Sequence, residues 1–356
     1  MIIGDLCKYA PKSSIKAGEA EIDGKYMFFT SSTDENKRYS DFQLDCEGII
    51  MGTGGNATLH YYNGKFSTST DCVVLLPNDK IRCKYLYYFF LHNMPLLQAG
   101  FKGAGLKHTN KNYINNITIS SLPTIQTQDE TINVLDKVSN IISSHQQQLQ
   151  KLDDLVKSRF IELFENYDCE NKALKDVSSF CSRGKSPKYV EASTLRVINQ
   201  ACIYWNTIKE ENVKYNDESY NGDRILSKGD VLINSTGTGT LGRCNIFNID
   251  DDYRYMADSH VTILRLYLVN PIYFKQWFQR QETQSYIYAN CVSGSTNQIE
   301  LSKEKLKELK IPVPPMELQQ QFAAFVAQVD KSKLAVQQGL EKLETLKKSL
   351  MQQYFG

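Results

Sequence analysis

The segment Gly237-Thr-Gly-Thr-Leu-Gly242 follows the apolar run Asp230-Val-Leu-Ile-Asn234 and satisfies GxGxxG, a spacing that lets backbone close on a pyrophosphate. That chemistry also needs a helix behind the last glycine, and Arg243-Cys-Asn-Ile-Phe-Asn-Ile-Asp250 is not a helical sequence. The glycines are expected to make a tight loop, permitting positive φ or close approach by another backbone. Asn270-Pro-Ile-Tyr273 differs by Ile272 from the Asn-Pro-Pro-Tyr that grips the target amine in amino-methyltransferases, and no separate glycine-rich cofactor segment accompanies it. It reads better as a helix start, with Asn270 as N-cap and Pro271 in the first helical position. The phosphate-cradling pattern GxxxxGK(S/T) is missing, and the five histidines include no HExxH, so neither nucleotide nor metal hydrolysis has its machinery. Nine cysteines between Cys7 and Cys291 contain no CxxC pair and are expected as reduced thiols of a cytoplasmic protein.

What remains is a set of polar loops without a catalytic constellation, and the elements that hold them carry the next inference. A chain of 356 residues, 41% apolar and 23% charged, is long enough for two globular domains. Its net charge, 41 − 40 = +1, supplies no global basic field, so any contact with nucleic acid must use local patches. No run of about eighteen apolar residues predicts a membrane span.

The chain repeats itself. A shift of 191 positions lays Pro123–Phe164 on Pro314–Phe355 without a gap and gives 12 identities in 42 positions. Ordinary residue frequencies would give about two or three. Identical pairs include Gln128 with Gln319, Val138 with Val329, Leu149 with Leu340, Leu152 with Leu343 and Phe164 with Phe355. Each copy opens on Pro-x-x-x-x-Gln and continues without proline, predicting helices over Gln128–Phe164 and Gln319–Phe355. Apolar residues recur at sevens, through Leu135, Ile142, Leu149, Val156 and Leu163 in one copy. Val326, Val329, Val336, Leu340, Leu343 and Leu350 make the corresponding narrow seam in the other, and both predict a coiled coil. His145 and Arg159 fall on that seam, as residues that set register or snorkel rather than as ligands.

A globular stretch precedes each helix. In the first, Glu47-Gly-Ile-Ile-Met51 and Cys72-Val-Val-Leu-Leu76 predict strands around Gly52-Thr-Gly-Gly-Asn56, followed by the helical Tyr85–Leu91 and the loop Lys102–Lys111. In the second, Asp230–Asn234 and Val261–Leu264 predict strands, Tyr273–Phe278 a helix and Ser293–Gln298 a loop. The order is domain, helix, domain, helix.

This order resembles the specificity (S) subunit of type I restriction-modification systems. Asp5-Leu6-Cys7 and Gly24-Lys-Tyr-Met-Phe-Phe-Thr-Ser-Ser32 open the first half, and Arg183-Gly-Lys-Ser-Pro-Lys188 opens the second. Ile311-Pro-Val-Pro-Pro-Met-Glu-Leu-Gln-Gln320 is the most specific element. The resemblance covers nearly the whole chain. The first half is shorter than the family's, and Thr124 replaces a second proline. It implies an α+β fold with a pseudo-two-fold repeat, in which two similar target-recognition domains are separated by two long antiparallel coiled-coil helices. The implied boundaries are 1–122 and 167–311 for the domains, with 123–166 and 312–356 as spacer helices. It further implies a non-catalytic, cytoplasmic subunit that reads split double-stranded DNA and docks two methyltransferase (M) subunits, joined by restriction (R) subunits. No cofactor is expected on this chain; S-adenosylmethionine belongs to the M subunits.

Polar loops and nearby cations are the expected DNA contacts. In the first domain these are Gly52, Thr53, Gly54, Gly55, Asn56, Lys65, Lys102, Lys107, His108, Asn110 and Lys111. In the second they are Arg183, Lys185, Lys188, Thr236, Thr238, Arg243, Thr296 and Asn297. Leu135, Ile142, Leu149, Leu152, Val326, Val329, Leu340 and Leu343 are expected to hold the spacer and its partners. The rival reading is a coiled-coil scaffold whose domains bind protein, which near-zero charge and long helices suit equally well.

Overall fold

Both proline-free stretches form single helices of 40 residues, Ile125–Phe164 and Met316–Phe355, whose ends differ by the same 191 positions as the sequence repeat. They begin one turn earlier than the glutamines suggest because the first turn is already capped. Thr124 Oγ1 accepts from the Thr127 N–H at 3.2 Å, and the Pro315 carbonyl accepts from Leu318 at 3.0 Å. This computed structural model describes residues 1–105, 107–294 and 299–356. Its mixed helix and strand architecture divides into two compact units, Met1–Gln147 with Gln337–Gly356, and Gln148–Val336.

In the first unit a six-stranded sheet runs in the order Cys7–Tyr9, Cys72–Pro77, Leu44–Gly52, Leu59–Thr68, Tyr26–Phe29, Arg38–Tyr39. Alternation along Leu44–Gly52 sends Ile49 and Met51 to the face that meets Leu86 and Phe90 of the helix Cys83–His92. Ile50 points the other way, into a cluster with Phe29, Phe66 and Val74. Leu59–Thr68 is a strand that the sequence reading did not include. It pairs antiparallel with Leu44–Gly52 from Met51↔Leu59 to Leu44↔Phe66. Lys111, expected at the end of a loop, instead opens the helix Lys111–Asn115.

The second unit holds two four-stranded sheets. One runs Arg254–Ala257, Leu195–Ile198, Lys214–Asn216, Tyr189–Val190; the other runs Cys244–Ile246, Val231–Asn234, Val261–Leu266, Ser178–Arg183. Val231 and Ile233 face a core containing Tyr273, Phe274 and Phe278, while Leu232 joins Ile198, Tyr255 and Ala257. Asn270 and Pro271 start the helix Pro271–Phe278 as expected: the Asn270 side chain accepts from the Ile272 N–H at 2.9 Å.

Within each unit, portions of the two long helices pack antiparallel. In the first unit Leu135 meets Met351 and His145 lies against Gly339. In the second, Asp153 pairs with Lys333 at 2.5 Å and Phe160 contacts Phe322 with ring centroids 5.5 Å apart. Gly339 is a helix-interior glycine whose added Cβ would lie 3.6 Å from His145 Nε2, an ordinary contact. Gly339→Ala should therefore stabilise the chain by about 0.5–1 kcal/mol through backbone entropy. A raised thermal midpoint checks this, and a lowered one would show that the helix needs the glycine's freedom.

Candidate nucleic-acid interface

The glutamine of each Pro-x-x-x-x-Gln motif is a fully buried clamp. Gln319 Nε2 donates to the Pro314 carbonyl at 2.8 Å, and its Oε1 accepts from the backbone N–H of Asn270, also at 2.8 Å. Gln128 Nε2 donates to the Pro123 carbonyl at 2.9 Å and the Lys80 carbonyl at 3.2 Å, and its Oε1 accepts from the Arg82 N–H at 2.8 Å. Arg82 and Asn270 are the N-cap residues of short helices, Cys83–His92 packed on the six-stranded sheet and Pro271–Phe278 on the sheet containing Val231–Asn234. The repeated motif thus ties the start of each long helix to the domain preceding it.

In the first domain two of the expected loops come together. Gly54 and Lys102 both bridge to His108. The Gly55 N–H donates to the Lys107 carbonyl at 2.9 Å, and Thr109 N–H donates to the Thr53 carbonyl at 3.0 Å. Thr53 Oγ1 is held by the Asp71 carbonyl at 2.9 Å, and Gly52 is buried at the strand end. Asn56, Lys102, Lys107 and His108 remain exposed on this platform. Asn110 and Lys111 are partly engaged: Asn110 caps the short helix by accepting from the Tyr113 N–H at 2.9 Å, and the Lys111 ammonium sits 4.4 Å from the Tyr9 ring centre. Lys65 lies on a strand opposite Asp45, its ammonium 4.6 Å over the Phe42 ring, with no hydrogen bond to the loop pair among the described residues.

In the second domain Gly237, Gly239 and Gly242 have φ of 95°, 78° and 83°, and the strand Cys244–Ile246 follows them, so the segment is the tight loop its sequence suggests. Thr238 stands exposed at its tip, while Thr236 Oγ1 meets half-buried Gln200 and exposed His260. Arg243 donates to the Gly239 carbonyl at 2.9 Å and lies 5.1 Å over the Tyr204 ring. Arg183 is committed to the fold. It donates to the Leu301 carbonyl at 2.8 Å and pairs with Glu300, and burial pulls its guanidinium below the ordinary value. Lys185 is exposed with its ammonium 4.8 Å over Tyr220, and Lys188 is exposed. Thr296 and Asn297 lie outside the described residues. Gln200 and His260, which meet Thr236, carry no signal in the sequence because they sit 36 and 24 positions from it.

Along the helices, burial grades the seam. Leu135, Val329 and Leu340 are buried, whereas Ile142, Leu149, Leu152, Val326 and Leu343 are half-buried. Leu152 and Val326 pack beside Val329, Phe160 and Phe322. Arg159 pairs with Glu162 at 2.7 Å and lies 5.9 Å over Phe325. Ile141, Leu155, Ile161, Leu334 and Leu346 remain exposed. Burial pushes the Cys7 and Cys244 thiols up to about 12, leaving them protonated and unreactive. No helix among the described residues is long and apolar enough to cross a membrane.

Comparison with known proteins adds to this geometry. A family model described as the type I restriction modification DNA specificity domain matches residues 1–154 and 166–347. The chain is 22% identical over 400 residues to the type I restriction enzyme MjaVIII specificity subunit of Methanocaldococcus jannaschii, covering 98% of this chain and 90% of that protein. A putative type I restriction enzyme MjaX specificity subunit of the same organism is 30% identical over 83 residues, 23% of this chain and 20% of that one. Among solved structures, the S subunit of a type I restriction-modification system from M. genitalium superposes with a TM-score of 0.68 at 14% identity, covering 100% of this chain and 95% of that one. A chain from a structure concerned with complex assembly and conformational transition of the type I R-M system gives 0.55 at 15% identity, covering 100% and 96%. With both halves matched by one family model and the same fold found in these structures, the chain belongs to the type I restriction modification DNA specificity domain family.

Proposed function

We propose that this chain is the sequence-reading specificity subunit of a type I restriction-modification complex, with each domain reading one half of a bipartite site in double-stranded DNA. The observation that carries the reading is the duplicated plan: two family-matched domains, each with a platform of polar loops and each clamped by a buried glutamine to a long helix. Sequence is read by hydrogen bonds to base edges, and polar loops held by a rigid sheet supply donors and acceptors at fixed positions. The helices offer exposed Ile141, Leu155, Ile161, Leu334 and Leu346, apolar surface suited to cover by two methyltransferase subunits. S-adenosylmethionine and methyl transfer belong to those subunits and cleavage to restriction subunits, so this chain takes no part in bond making. A net charge of +1 fits a subunit that shares phosphate binding with its partners, and the chain alone should bind DNA weakly.

Exchange of residues 1–122 for the equivalent region of a relative tests the reading. Methylome sequencing of a host carrying the hybrid with its methyltransferase should show one half of the methylated motif replaced and the other retained. Replacement of both halves together, or no methylated motif with the unaltered chain, would overturn it.

A further inference from the structure

Three polar side chains from separate segments of the second domain meet behind the Gly237–Gly242 loop. Thr236 Oγ1 donates to Gln200 Oε1 at 2.9 Å and lies 3.1 Å from His260 Nδ1. The hydroxyl has one proton, and Gln200 takes it. The oxygen therefore accepts from His260, which places the imidazole proton on Nδ1 and leaves Nε2 an acceptor. The same contact orients the Gln200 amide, whose Nε2 has no hydrogen-bond partner among the described residues and keeps two donors to offer.

The backbones carrying these groups are also fixed. Asn234 Nδ2 donates to the Gln200 carbonyl at 3.1 Å, and the His260 N–H donates to Asp258 Oδ1 at 2.9 Å. Ser235 N–H donates to the His260 carbonyl at 2.9 Å. Gly237 closes the back of the group: a Cβ there would come within 3.5 Å of Gln200 Oε1 and 2.6 Å of Thr240 Oγ1. His260 is exposed and Gln200 half-buried, so both can reach a ligand.

The geometry points to Gln200 and His260 as base-reading side chains of the second domain, with Thr236 the positioning residue that sets a donor beside an acceptor. This rests on the proposal that the chain reads DNA and names where the second half-site is read. A donor beside an acceptor complements the major-groove edge of adenine, which presents N7 as acceptor and N6–H as donor. Guanine presents two acceptors there and leaves the imidazole Nε2 without a donor. Across a whole pair, guanine O6 beside cytosine N4–H offers the same acceptor and donor, so the two side chains read one base pair of the second half-site, by adenine N7 and N6–H or by guanine O6 and cytosine N4–H.

The experiment is methylome sequencing of a host carrying the full chain with its methyltransferase subunits. Gln200→Ala and His260→Ala should each raise methylation of sites altered at one and the same base pair of the second half-site by about tenfold relative to the intact site, leaving the first half-site as it was. Thr236→Val should relax the same pair, and Thr236→Ser, which keeps the hydroxyl, should restore discrimination. An unchanged motif in all these variants, or a uniform fall in methylation with unchanged base preference, would overturn the assignment. Absence of any bipartite motif with the unaltered chain would instead overturn the DNA-reading proposal itself.

Discussion

Gln319→Leu should lower the stability of the second unit by about 2–5 kcal/mol, because it leaves the Asn270 N–H and the Pro314 carbonyl without their partner in a site that excludes water. Leucine fills a similar volume, so the loss is one of hydrogen bonding rather than packing. Glutamate should not rescue it, since an ionised carboxylate would be buried facing the Pro314 carbonyl oxygen, and holding it protonated so that it can donate there also costs free energy. The chain's two tryptophans, Trp205 and Trp277, both lie in Gln148–Val336, so tryptophan fluorescence in urea reads this unit alone. The midpoint should fall in Gln319→Leu and move far less in Gln128→Leu, whose clamp lies in the other unit. A fluorescence midpoint that Gln319→Leu leaves in place would show that the amide is dispensable.

A second large effect is expected in the first unit. Leu135 is fully buried against Tyr88 and Met351, and Leu135→Asp both empties that site and sets a carboxylate in it, at a cost of about 3 kcal/mol or more. Leu149 occupies the same heptad position two repeats later but is only half-buried, so its aspartate stays hydrated and should cost well under half as much. Hydrogen exchange at the helix Cys83–His92, which carries Tyr88, should accelerate strongly in Leu135→Asp and little in Leu149→Asp. Equal acceleration would mean that the seam acts as a uniform zipper.

These two sites show what a linear reading reaches. The seven-residue period of Leu135 and Leu149 is visible in the sequence and located both helices, but it treats the positions alike. Leu135 is buried by Tyr88 and Met351, residues far away along the chain that have no counterpart around Leu149 in that cluster. Pro-x-x-x-x-Gln was legible as a repeated pattern, and the reason for it was not, because the amide's partners Arg82 and Asn270 lie 46 and 49 positions upstream. Leu59–Thr68 escaped notice because Asn63-Gly64 at its centre has the composition of a hairpin turn. There the pair stays in register with Cys46 and Glu47, with Gly64 at φ 137°. In the candidate interface the glycine loops stood out by composition. The bridges of Gly54 and Lys102 to His108, and the meeting of Thr236 with Gln200 and His260, are tertiary facts without a local signature.

The division of the two units along the chain also bears on the order in which a ribosome can finish them. The second unit, Gln148–Val336, is one contiguous segment of 189 residues, but the first needs Gln337–Gly356 as well as Met1–Gln147. At about 5–20 residues per second, the nascent first unit waits about 10–40 s between the emergence of Gln147 and that of Gln337. Throughout that interval Leu135 and Tyr88 lack Met351, their cover in the finished fold. The domain encoded second thus matures first, and the one encoded first spends that time with an apolar face open to chaperones. A message broken after codon 336 would leave one completed domain attached to an uncompleted one.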